Sequence, residues 1–150
     1  MSCELTTKIL TELTEENFEE LSTLYEDLMP EIEHTAEQIK ELFANLSATH
    51  NHYLIGVMDG EKIAGTALAI CCQSLSMGGK NFLVLEDVVV SPSYRKRGVG
   101  KKLMEKADEL AKQMNCEYSM LASSDFRKGA HKFYEACGFN DPVRGFRKLY

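Results

Sequence analysis

The amino-acid sequence predicts an α+β domain. Its strand-like and helix-like segments run in the order β, α, α, β, β, β, α, β, α, β. Two of the three successive strands flank Asp59-Gly60, a strong short-range hairpin signal. The third ends at Val90 and turns through Pro92 and a basic, glycine-containing loop into a helix. At 150 residues the chain is read as one domain, residues 1–150, long enough to bury a real core.

Thr6 to Leu10 is short and β-compatible. From Thr14 to about Met29, Phe18, Leu21, Leu24, Tyr25 and Leu28 recur as one helical face. Thr14 supplies the N-cap, Glu15 and Glu16 suit the first turn, and Pro30 interrupts the helix. A second helix starts at Thr35 with a capping box to Gln38 and turns Ile39, Leu42, Phe43 and Leu46 inward. His52–Met58 and Lys62–Cys72 are strand-like, and Ser74 to Lys80 is a loop containing glycine and serine. Phe82 to Val90 is the central strand, apolar except at Glu86 and Asp87. Val99 to Met114 is amphipathic, with Leu103, Met104, Ala107, Leu110, Ala111 and Met114 on one face. Glu117–Ala122 is a strand, Lys128–Ala136 a helix stopped by Gly138, and Gly145–Leu149 a final strand.

An apolar fraction of 44% and a charged fraction of 27% are ordinary for a globular protein. No apolar run approaches a membrane span, and Met1-Ser2-Cys3-Glu4 lacks the features of a secretory signal, so the expected location is cytoplasmic with no membrane partner. Cys3, Cys71, Cys72, Cys116 and Cys137 form neither a paired framework nor a metal motif; reduced thiols and no metal are expected. Charge is unevenly distributed. Residues 1–60 carry thirteen acidic side chains and two lysines, whereas residues 61–150 carry ten acidic and fifteen basic ones. The basic half suits a polyanionic cofactor, and the acidic half argues against a nucleic-acid surface. The acidic half suits a cationic amine substrate or is simply solvated helix surface.

Ser91-Pro92-Ser93-Tyr94-Arg95-Lys96-Arg97-Gly98-Val99-Gly100-Lys101-Lys102 carries most of the functional signal. A strand end feeding a helix N-terminus offers unpaired N–H groups and a positive dipole end to an anion. Glycines let the backbone approach that anion closely. A P-loop would need glycine at Arg95 and Ser or Thr at Lys102, and a dinucleotide fingerprint would need glycine at Leu103. What remains is Arg-x-x-Gly-x-Gly, built from Arg95, Gly98 and Gly100. Downstream, Ala130-His131-Lys132-Phe133-Tyr134-Glu135-Ala136-Cys137-Gly138-Phe139 reads as a short helix with an aromatic pair, then Gly-Phe.

With Leu85-Glu86-Asp87 upstream, these segments resemble the GNAT superfamily of acetyl-CoA-dependent N-acetyltransferases over about residues 52–150. The resemblance implies a mixed, mostly antiparallel sheet of about six to seven strands flanked by helices, splayed between the strand ending at Val90 and Glu117–Ala122. It implies acetyl-CoA as co-substrate. Its pyrophosphate would lie on Arg95, Lys96, Arg97, Gly98, Val99, Gly100 and Lys101, and its pantetheine and acetyl along Val88, Val89 and Val90. Acceptors in the family are amines. A small-molecule amine is preferred here because the chain lacks an added peptide-docking element. The alternatives are a protein-directed transferase and a non-catalytic acyl-CoA-binding regulator. A homodimer through edge strands is compatible with the resemblance.

Acetyl transfer to an amine needs a base, a donor to the carbonyl oxygen and help for the departing thiolate. Glu86 is the candidate base: it interrupts an apolar strand, and partial burial raises a carboxyl pKa. The competing reading pairs it with a nearby Lys or Arg. Strict alternation sends Asp87 to the opposite face, as a structural anchor. A main-chain N–H near Val88, freed by a bulge, is the expected oxyanion donor. Tyr134 matches the tyrosine that serves the thiolate in the family; otherwise it is a core aromatic like Phe133. His131 is read as a surface or packing residue, and Arg127 and Lys128 as facing either the cofactor's ribose phosphate or solvent.

Overall fold

A computed structural model describes residues 4–150; the N-terminal residues Met1, Ser2 and Cys3 lie outside the described part. The elements are β1 (Thr6–Ile9), α1 (Glu15–Leu28), α2 (Ala36–Ser47), β2 (His52–Asp59), β3 (Lys62–Gln73), β4 (Asn81–Val90), α3 (Val99–Gln113), β5 (Cys116–Leu121) and α4 (Lys128–Ala136). A short 3-10 turn covers Pro92–Tyr94. The five strands form one sheet in chain order, antiparallel at three seams and parallel between β4 and β5. The parallel seam follows from α3, which carries the chain back across the sheet between those strands.

The first two helices start where their cap chemistry says they should. Asn17 N–H donates to Thr14 Oγ1 at 3.1 Å, and Thr14 N–H donates to Asn17 Oδ1 at 3.2 Å, a reciprocal capping box. Gln38 N–H donates to Thr35 Oγ1 at 3.2 Å to start α2. α4 ends in a Schellman motif. Phe139 N–H donates to the Tyr134 carbonyl and Gly138 N–H to that of Glu135, with Gly138 at φ +97°.

The sheet has a core on each face. Against one face, α1 and α2 bury Phe18, Leu21, Leu24 and Ile39 on Leu54, Met58, Ile63 and Val89. Against the other, α3 buries Val99, Leu103, Met104, Ala107 and Leu110 on Ile55, Val57, Leu83 and Leu85. Leu83, Leu85 and Val89 are all odd-numbered residues of β4, yet they serve opposite cores. An extra residue between Glu86 and Val89 reverses the alternation there: Asp87 and Val88 stand opposite the single residue Ala67, and Asp87 adopts φ +50°.

Three expectations are corrected. The sheet has five strands instead of six to seven, and residues 145–149 form no strand. A strand exists only as a pairing, and this segment lies open, with Phe146 91% exposed. Leu42 is 59% exposed because α2 is covered along Ile39 and Phe43, leaving Leu42 beyond that seam.

Candidate active site

β4 and β5 pair from Asn81↔Cys116 to Leu85↔Leu121 and no further. Beyond Leu85, β4 keeps its β3 partners, Glu86↔Leu68, Val89↔Thr66 and Val90↔Gly65, while its other edge has no strand beside it among the described residues. This is the expected splay. It leaves main-chain donors and acceptors of Val88–Val90 facing a gap, at the place where the bulge turns the backbone. The side chain of Val89 is core, whereas Val88 and Val90 border the core beneath α3.

The far end of β4 leads directly into the N-terminus of α3. Gly98 is its N-cap at φ +79°, with no side-chain cap, and a Cβ there would meet nothing within 4 Å. The first-turn N–H groups of α3 therefore have neither intrahelical partners nor a capping side chain. Gly100 has a different role. A Cβ on it would lie 3.0 Å from Phe133 Cζ, so the missing side chain is what lets α4 dock on the first turn of α3. Val99, 1% exposed, contributes only main chain to the surface.

Three of the exposed basic side chains around this turn, Arg95, Arg97 and Lys101, are already engaged. Arg95 pairs with Asp27 at the end of α1, and Arg97 lies over the Tyr94 ring at 4.8 Å. Lys101 approaches Glu105 at 3.8 Å, and Lys96 sits at φ +60°. Tyr94 in turn donates its hydroxyl to Asp59 Oδ2 at 2.9 Å, fixing the turn to the β2–β3 hairpin. Exposed pairs of this kind are weak and easily exchanged for a phosphate. Open helix donors, a bare glycine and exchangeable cations together fit a diphosphate.

Glu86 makes no ion pair or side-chain hydrogen bond among the described residues, so the competing reading of it as a paired surface charge lacks a partner. Its pKa is raised, first by burial and then by the neighbouring Asp87, with Arg147 acting in the opposite direction. Asp87, expected as an anchor on the opposite face, is exposed at the bulge; its pKa is raised by burial and lowered by His34. Tyr134 is half-buried between Phe133, at a ring distance of 5.2 Å, and Phe139, at 6.0 Å. Burial raises its pKa, so at neutral pH it is a phenol that donates a hydrogen bond.

His131 Nε2 lies 2.9 Å from the Ser124 carbonyl, the packing role expected of it. Arg127 Nη2 donates to the Leu28 carbonyl at 3.3 Å, tying the approach to α4 to the end of α1. Sequence reading missed Tyr25 and His34. Tyr25 counted only as one of the apolar stripe of α1, and His34 lies in a connection without periodicity. Yet burial pushes the Tyr25 phenol up to about 12, with the Asp87 charge adding to the effect. No helix among the described residues is long and apolar enough to cross a membrane.

Comparison with known proteins agrees with this arrangement. The chain is 40% identical to the thialysine N-epsilon-acetyltransferase of Bos taurus over 63 residues, 42% of this chain and 36% of that protein. It is 35% identical to the glucosamine 6-phosphate N-acetyltransferase of Trypanosoma brucei brucei over 86 residues, 57% of this chain and 56% of that protein. The matched stretches thus span between a third and three fifths of these relatives' own lengths. A solved protein from Agrobacterium tumefaciens str. C58 superposes with a TM-score of 0.87 at 25% identity, over 97% of this chain and 99% of that one. The model of the acetyltransferase (GNAT) family matches residues 13–139, and the chain belongs to that family.

Proposed function

We propose that the protein transfers an acetyl group from acetyl-CoA to a primary amine of a small molecule, by direct attack while both substrates are bound. The observation that carries this reading is the pair of open main-chain surfaces, the free edge of β4 and the uncapped start of α3, joined by one short turn. When bound, acetyl-CoA supplies the acetyl thioester. The residues for the pyrophosphate are Arg95–Lys101, chiefly through the N–H groups of Val99, Gly100 and Lys101. Those for the pantetheine are the edge groups of Val88–Val90, used as a peptide uses a strand edge.

Glu86 accepts the proton that the ammonium must lose before its nitrogen has a lone pair. The Val88 N–H donates to the acetyl oxygen as negative charge grows there. Tyr134 donates to the sulfur as the C–N bond forms and the C–S bond breaks. The products are an amide and a thiol. The names of the two curated relatives, both acetyltransferases of small amines, support a small-molecule acceptor. The same reading includes a homodimer. Among the described residues the outer edge of β5 has no partner strand, and Val143, Phe146, Leu149 and Tyr150 are exposed, an apolar surface that a second copy would cover.

The test is thiol release from acetyl-CoA with a panel of free amines and a peptide N-terminus. Release with free amines is expected. Release with the peptide alone would identify a protein-directed transferase, and tight acetyl-CoA binding without release on any acceptor would identify a regulator.

A further inference from the structure

On the face of the sheet that carries α1 and α2, one apolar area is covered by neither helix. β3, β4 and β5 pair there in two rows, Ile70 with Val84 and Met120, and Cys72 with Phe82 and Tyr118. Residues directly opposite one another share a face, whereas Leu83 and Leu85, which alternate with them on β4, enter the core beneath α3. α1 and α2 cover this face along Leu54, Met58, Ile63 and Val89, and the two rows belong to neither core. Ile70, Cys72, Phe82 and Val84 are half-buried, and Tyr118 and Met120 are 46% and 42% exposed. The rings of Phe82 and Tyr118 stack at 5.4 Å, and the ion pair of Lys80 with Glu117 closes the far end.

Glu86 continues the same face. It stands opposite Leu68, which stands opposite Leu54 under the helices, and it precedes the bulge. One same-face step along β4, about 7 Å, therefore separates it from Val84. In the transferase reading the reacting nitrogen sits at Glu86. From there the direction towards Leu54 is filled by the helices, and the direction along Val88–Val90 is given to the coenzyme. An acceptor that touches the sheet beyond its nitrogen runs the other way, down β4 over Val84 and Phe82.

We propose that these two rows are the floor on which the body of the acceptor lies, so that the favoured acceptors are primary amines carried on an apolar body, an alkyl chain or an aromatic ring. The inference rests on the transferase reading, which places the nitrogen at Glu86. When such a body settles, water leaves apolar surface on both sides, and the gain grows with the area covered. A ring carried far enough from the nitrogen reaches the Phe82–Tyr118 pair and packs beside it. A phosphate or hydroxyl in the same place would lose its water to groups that offer no hydrogen bond in return.

The test uses n-alkylamines from propyl to octyl, phenylbutylamine, and amino alcohols of equal chain length. Calorimetry reads their binding to the CoA-loaded protein, and thiol release from acetyl-CoA is read separately. We expect affinity to rise about two- to fourfold per added methylene over the first several carbons, and each amino alcohol to bind more weakly than the alkylamine of its length. Met120→Ser and Tyr118→Ser alter exposed side chains outside both cores; each flattens the dependence on chain length and leaves acetyl-CoA affinity unchanged. Equal binding along the series, no binding of any amine, or an unaltered slope in both variants overturns the floor. If the variants keep the slope but sediment as a smaller species than the natural protein, the face is a contact between copies instead. A slope without thiol release overturns the transferase reading and leaves the floor standing. Thiol release without a slope does the reverse.

Discussion

Asp87 at φ +50° does more than break a strand. The extra residue reverses the alternation of β4, opens the backbone at Val88 and leaves Glu86 and Asp87 side by side without ion pairs. Glu86→Gln should reduce kcat/KM about 10²-fold or more, the usual contribution of a positioned base. The pH dependence has a definite sign. Burial and Asp87 raise the Glu86 pKa, and the ionised form is the base. Activity therefore falls as pH is lowered through that pKa, above the range of an ordinary glutamate, and rises to a plateau on the alkaline side of it. A kcat/KM profile lacking this acid limb in Glu86→Gln but showing it in the natural protein checks the assignment. Tyr134→Phe should lower kcat by about 10²-fold while the acetyl-CoA Kd is unchanged; an unaltered kcat removes the phenol from the chemistry.

Between elements, the decisive contacts are those that hold the N-terminus of α3 open. Gly98→Ala forces a Cβ into a left-handed backbone, at about 1–2 kcal/mol, and should weaken acetyl-CoA binding along with stability in urea unfolding. Leu103→Ala removes a fully buried side chain from the seam between α3 and the sheet and should cost about 3 kcal/mol with no change in m-value. Both elements were legible in the sequence. Leu103, Met104, Ala107 and Leu110 recur at helical spacing, and Arg95, Gly98 and Gly100 mark the turn before them. The dual use of the glycines was not legible, because the Phe133 ring that meets Gly100 comes from a helix some thirty residues on. Tyr25 and His34 were hidden for the same reason: their partners, Thr66 and Asp87, belong to other elements. The seam that exposes Leu42 is likewise a tertiary fact, invisible to a one-helix pattern.

Taken whole, the molecule has two helical layers on a sheet that opens at one edge. Gly145–Leu149 reads locally as a strand, but it has no partner within this chain's described fold. Strand formation there depends on an edge that sequence pattern does not supply. Removal of residues 140–150 keeps the Schellman motif at Phe139 and takes away Val143, Phe146, Leu149 and Tyr150. Sedimentation should show a dimer for the full chain and a monomer for the truncated one, and equal association states for the two would contradict edge association. The central claim is that bare main chain, at the β4 edge and the start of α3, holds the coenzyme. Residue-resolved amide exchange by NMR, with and without acetyl-CoA, tests it most directly. Added acetyl-CoA should slow exchange at Val88, Val90 and Val99–Lys101; unchanged exchange there, with protection at another surface or none, would contradict it.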